Sequence, residues 1–254
     1  MIYLVLPIAA LLAATLSGIV GMGGGMLLLA TMFCFMSHGE AIPAHAAVQL
    51  ISNSTRTIAF LGHVDWRTVG RFLLGVVPGG CLGLFLLVRL GEPDAAEPWL
   101  KMLVGSYILG SLAIPQPAGR RGNVMRWWDF PLLGVAAGAA AFTVGAVGPL
   151  IAPLFARRDF VKERLVATKA VCQAFIHVAK IPGFLMLRSY ENLEALGTVT
   201  IIMAVLVVPG TLLGKRLLKR VSERNFVVFY RVALLAAGLK VLLLDGLRPL
   251  LLGG

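Results

Sequence analysis

Leu16-Ser17-Gly18-Ile19-Val20-Gly21-Met22-Gly23-Gly24-Gly25 interrupts an apolar stretch running from residue 3 to residue 36. One continuous helix over that stretch would measure about 51 Å at about 1.5 Å per residue, too long for a single crossing of a bilayer core of about 30 Å and too short for two. Consecutive glycines weaken a helix. The stretch therefore reads as two half-membrane helices meeting at a broken tip, with Gly21–Gly25 non-helical. A second apolar stretch, 130–156, breaks in the same way at Gly145-Ala146-Val147-Gly148-Pro149. There Pro149 also removes a backbone donor.

Composition places both breaks in a membrane. Of 254 residues, 58% are apolar and 14% charged, and the mean hydropathy is +0.88. A soluble domain is nearer half apolar and a quarter charged, so a soluble enzyme and a disordered chain are both excluded. Further apolar segments span 44–62, 68–90, 98–114, 165–187, 194–214 and 225–244. The net charge of +11 does not point to nucleic acid, because Lys and Arg cluster between apolar segments, as in cytoplasmic loops. No Lys or Arg precedes Arg56, so the first segment lacks the basic region of a signal peptide and is expected to stay as a membrane segment. Cys34, Cys81 and Cys172 lie in apolar segments without metal-ligand spacing and read as packing residues, with no disulfide.

The two halves match. An offset of 124 superposes Gly21 on Gly145, Gly24 on Gly148, Gln49 on Gln173 and Phe60-Leu61 on Phe184-Leu185. Arg56 then falls on Lys180, His45 on Lys169 and Asn53 on His177. Pro78-Gly79-Gly80-Cys81-Leu82-Gly83 is echoed by Pro209-Gly210-Thr211-Leu212-Leu213-Gly214. The order of these pairs indicates an internal duplication, divided as 1–124 and 125–254. Loops 115–129, 157–164 and 215–224 hold the dense Lys and Arg clusters, whereas 91–97 and 189–194 are acidic. The positive-inside rule puts the first three in the cytoplasm and both termini outside. The broken segment between two cytoplasmic loops must then enter and leave from one side. The expected fold is an all-α polytopic bundle of two inverted repeats, each a broken re-entrant helical hairpin plus three transmembrane helices.

Each half carries one polar stripe. His45, Gln49, Asn53 and Arg56 recur at helical spacing, and Lys169, Gln173, His177 and Lys180 repeat them. A charge at such depth costs roughly 2.5–3.5 kcal/mol on translocon scales, and no intramembrane Asp or Glu is at hand to pair with Arg56 or Lys180. An external anion is the natural partner. Lys169, near its loop, reads equally well as snorkelling, and Arg231 and Lys240 read as snorkelling. The histidines and amides suit interhelical contacts as well as anion oxygens. Backbone N–H groups freed at the breaks, around Gly23, Gly24, Gly25 and Gly148, make an anion-binding concavity. Gly75, Gly79, Gly83, Gly210 and Gly214 read as helix-packing positions with no part in binding.

The stretch Leu16–Gly25, repeated more loosely at 145–149, resembles the glycine-rich motif of the sulfite exporter TauE/SafE family. The resemblance covers nearly the whole chain, with its duplicated layout and basic central loop. It implies transport of sulfur oxyanions or small organosulfonates across a bacterial inner membrane. The second copy departs from the motif at Val147 and Pro149, which stiffens that tip.

The expected function is a secondary transporter working by alternating access, carrying sulfite or a small organosulfonate such as sulfoacetate. A small-anion channel is the alternative. An intramembrane enzyme is less favoured, because the chain has no His-Glu-x-x-His, no Gly-x-Ser-x-Gly and no paired intramembrane aspartates. No P-loop, metal or cofactor motif is present, and the expected partners are a small anion and lipid, not nucleic acid. Direction, coupling ion and homo-oligomer formation stay open.

Overall fold

The computed structural model describes residues 2–20, 23–89, 93–113, 126–148, 150–151, 162–186, 193–217, 231–232, 234–236 and 238–252. Helices α1 (Ile2–Val20), α2 (Gly24–Met32), α3 (His38–Ala59), α4 (Trp66–Arg89), α5 (Pro93–Ala113), α6 (Asp129–Thr143), α7 (Lys162–Met186) and α8 (Leu193–Leu217) are followed by a last helix. That last helix includes a π-helical stretch, Lys240–Leu247, and an α-helical end, Arg248–Leu252. No strand occurs among the described residues. Gly21, Met22, Pro149 and residues 90–92, 114–125, 152–161, 187–192 and 218–230 lie outside them, including most of the charges behind the expected topology.

Among the described residues, three helices are long and apolar enough to cross a membrane: Ile2–Ile19, Trp66–Arg89 and Gly197–Leu217. Their outward faces keep Leu4, Ile8 and Leu12, Leu74, Val77 and Phe85, and Ile201, Val205 and Leu212 exposed. Apolar side chains turned outward at helical spacing are what a lipid environment covers. Cys81 and Cys34 are exposed as well, which corrects the expectation that all three cysteines are packed; only Cys172 is buried.

The break in the first segment sits where the glycines stand, but its arms are unequal. Gly23 takes a φ of +93°, open to glycine and strained for other residues, and helix resumes at Gly24. Only Gly23 of the three described glycines is non-helical, against the expectation of a non-helical run to Gly25. α1 holds 19 residues and α2 only 9, so these are not two equal half-helices. α2 doubles back along α1: a Cβ on Gly24 would overlap the Ala13 carbonyl and the Ser17 hydroxyl. In the second segment α6 ends at Thr143, and Gly145 takes a φ of +81°.

Small residues build two parallel seams. Gly75, Gly79 and Gly83 of α4 press on the Pro131, Val135 and Ala139 backbone of α6, and Gly210 and Gly214 of α8 press on Leu11 and Thr15 of α1. Absent side chains let the backbones approach, the role expected of these glycines. Each seam joins one half of the chain to the other. α3 and α7 pack together at the centre.

Both ends of the bundle are tied. At one end, the Asp65 carboxylate accepts the Arg67 and Thr68 N–H groups at 3.1 and 3.2 Å, starting α4, and also pairs with Arg164 of α7. Lys215 at the end of α8 donates to the Ala59 carbonyl and lies 4.9 Å over the Phe60 ring. α4 thus begins at the end where α8 finishes. α6 and α1, each parallel to one of them, run in opposite directions. At the far end, Glu40 accepts the Ser37 N–H and hydroxyl at 2.9 Å, capping α3, and the His38 N–H donates to Glu97 at 3.0 Å.

Candidate functional site

The polar stripe of α3 meets that of α7 where the two helices pack together, with the His45 and His177 rings in contact. His45, Gln49, Asn53 and Arg56 are all buried, as are Lys169, His177 and Lys180. A narrow cavity opens between them and the two breaks. Ser17, Gly23, Gly25 and Met26 line it from the first half, with His45, Gln49 and Arg56 of α3. Ala146, Val147 and Gly148 line it from the second break, with Gln173 and His177 of α7. The two glycine breaks therefore meet across one cavity.

The breaks and stripes interlock in matching pairs. A Cβ on Gly25 would lie 3.2 Å from the Gln49 side chain, and one on Gly148 would lie 3.4 Å from Gln173 Nε2. Glycine leaves each glutamine room at the tip. His45 Nε2 donates to the Gly25 carbonyl at 2.8 Å, and the His45 and His177 rings meet edge to face at 5.9 Å between centroids. His38 Nε2 reaches the Thr143 carbonyl at 2.8 Å, so α6 extends almost to the far end of α3 before it breaks.

The cations are arranged unequally. Arg56 lines the cavity; its Nη1 donates to Asn53 Oδ1 at 3.1 Å and its Nη2 to Ser52 Oγ at 3.4 Å. Ser52 in turn meets Thr211 of α8 at 3.4 Å. Arg56 makes no ion pair among the described residues. Lys180, expected in the same cavity, does not line it. Its ammonium donates to the Gly145 carbonyl at 2.7 Å, satisfying an acceptor that the break frees. Lys169 does not line the cavity either; it is 1% exposed, too deep to snorkel, and lies within the field of Arg56. Asn53 acts through Arg56, and Gly24 is committed to α1, so neither lines the cavity.

Four buried polar atoms in this group make no hydrogen bond among the described residues: His45 Nδ1, Asn53 Nδ2, Arg56 Nε and His177 Nδ1. Buried polar groups are rarely left so, and each costs about 1–3 kcal/mol while unpaired. Oxygens of an anion in the cavity can accept from Arg56, which lines it. Among the described residues no group of three or more His, Cys, Asp or Glu forms a metal site. Of the cations read as snorkelling, Arg231 is exposed and donates to the Leu112 carbonyl at 2.6 Å, and Lys240 pairs with Asp245 at 2.7 Å.

Ser17, Met26, Ala146 and Val147 line the cavity from outside the polar stripes. Ser17 stands inside the glycine motif and Ala146 and Val147 inside the second break; Met26, apolar and just past the motif, carries no signal in the sequence.

A family model described as Sulfite exporter TauE/SafE matches residues 6–241. No curated protein and no solved structure matches the chain.

Proposed function

We propose that this chain, which belongs to the sulfite exporter TauE/SafE family of membrane transporters, carries a small sulfur-containing anion through the cavity between its two breaks by alternating access. Sulfite or a small organosulfonate such as sulfoacetate is the cargo. The observation that carries this reading is Arg56: a buried guanidinium lining the cavity, with neither a carboxylate partner nor a bond to its Nε among the described residues. Gln49, Gln173 and the histidines add polar contacts. Lys169 and Lys180 add positive potential from behind the wall.

The architecture behind this is two inverted repeats, 1–124 and 125–254, each with a re-entrant broken hairpin, in a bacterial inner membrane with both termini outside. Support comes from the opposite directions of α1 and α6 and from the seams that cross between the halves. One repeat rocking against the other would slide those small-residue seams while the cavity stays between the tips.

Binding of sulfite, sulfoacetate, sulfate and thiosulfate to the purified protein, compared by thermal shift, tests the cargo. Stabilisation by none of them would defeat the anion-site reading. Saturable counterflow in proteoliposomes distinguishes a carrier from a channel, which would instead pass single-channel currents.

A further inference from the structure

The unsatisfied atoms around the cavity are not all donors. His45 Nε2 lies 2.8 Å from the Gly25 carbonyl. A carbonyl only accepts, so Nε2 carries the proton, and Nδ1 of the neutral ring is left as a lone-pair acceptor. That acceptor is buried and unfilled. Arg56 Nε and Asn53 Nδ2 are unfilled donors in the same group. Oxyanion oxygens satisfy the donors. They repel the lone pair unless a proton lies between.

The surrounding charges bear on the same point. His45 meets the His177 ring of α7 and the Gly25 carbonyl of α2 and lies within the field of Lys180 of α7, while Arg56 of α3 lines the same cavity with Lys169 of α7 within its own field. α5 brings Glu97 and Lys101, and α8 brings Lys215, only to the two ends of α3. Lys180 close to His45, and Arg56 in the wall of the same cavity, oppose an added proton by Coulomb repulsion while no anion is bound. A bound dianion removes that repulsion, so the proton and the anion favour each other's binding.

We propose that the cavity binds a dianionic sulfur oxyanion together with one proton, shared between His45 Nδ1 and an anion oxygen, so that the transported unit carries a single negative charge. This rests on the anion site proposed above and goes beyond it in naming the protonation state of the cargo. The proton comes from the water on the side the site faces. No bond to sulfur forms or breaks.

The test is calorimetry on the full chain in nanodiscs, with sulfite and with sulfate as probes, in buffers of different ionisation enthalpy between about pH 6 and pH 9. Sulfate stays a dianion throughout this range, whereas sulfite takes up a proton within it. The expected result is uptake of about one proton per sulfite at alkaline pH, with affinity falling about tenfold per pH unit there. If sulfate also brings a proton, and His45→Gln loses that uptake, the proton resides on His45. If only sulfite brings one, it travels on the anion. Sulfite binding at alkaline pH with no proton uptake overturns this inference while leaving the anion site in place; absence of sulfite binding at every pH overturns both. The wild-type measurement decides the matter even if His45→Gln does not fold.

Discussion

The Lys180 ammonium is bound to the Gly145 carbonyl at 2.7 Å, at the residue whose positive φ turns the second break. Its counterpart in the first half, Arg56, instead lines the cavity. Two cations that occupy equivalent places in the sequence therefore have different tasks in this conformation. One supports the backbone, and the other is left for a ligand.

Arg56 and Lys180 should accordingly separate on substitution. Arg56→Gln is expected to weaken sulfite binding by roughly tenfold to a hundredfold with folding largely intact, since a charge-assisted hydrogen bond contributes about 1.5–3 kcal/mol. Lys180→Gln should change equilibrium affinity by less than about threefold and lower the transport rate, because it loosens the turn. Arg231→Gln, at an exposed residue that donates to the Leu112 carbonyl, should be nearly silent in both assays. Equal losses of affinity in Arg56→Gln and Lys180→Gln would return Lys180 to the binding site.

Two neighbouring glycines should also behave differently. A side chain on Gly24 runs into the Ala13 carbonyl of α1, so Gly24→Leu is expected to destroy the folded hairpin and not merely block transport. Gly25→Ala meets only the Gln49 side chain, at 3.2 Å. It should leave the protein monodisperse and thermally stable while impairing transport. Size-exclusion profiles and flux assays on the two variants read this directly.

Gly145→Ala should destabilise the protein by about 1–3 kcal/mol, through the strained positive φ and a collision with the Ile42 side chain. A melting curve for purified protein is sufficient. An unchanged midpoint would mean that the turn relaxes without cost.

Asp65 predicts a pH dependence at the tied end. Burial pushes its carboxyl up, but hydrogen bonds from Arg164 and Thr68 outweigh this and hold it below the usual carboxylate range. A lowered folded value means that the contribution is complete above the unfolded carboxylate range and is lost as pH falls through the folded value. Wild-type thermal stability should decline over that acidic window, and Asp65→Asn should flatten the decline. Parallel curves for the two proteins would show that other carboxylates set the acid limit.

Topology yields a further expectation. The turn after α3, the start of α7 and the end of α8 share one end of the bundle through Asp65–Arg164 and Lys215–Ala59. Cysteine introduced at exposed His63 should react only from the cytoplasm, and at exposed Gly39 only from outside. Reaction of both from the same side would be incompatible with α3 crossing the membrane.

The sequence by itself determined the membrane setting, the helical class, the two breaks, the glycine seams and the polar stripes of α3 and α7. These follow from local chemistry: apolar length, the absence of a Cβ, and a period near 3.6 all act within one segment or one helix face. Tertiary structure decided which of the stripe's groups remain unpaired. Lys180 reaches Gly145 across 35 positions of the chain, and His45 reaches Gly25 across 20. The unequal arms of the first hairpin, the loss of Gly24 to α1 and the inclusion of Ser17 and Val147 in the cavity wall were decided there too. Hydrogen bonds act over about 3 Å, so a polar residue's partner depends on which backbone the fold brings beside it, and sequence spacing does not carry that distance.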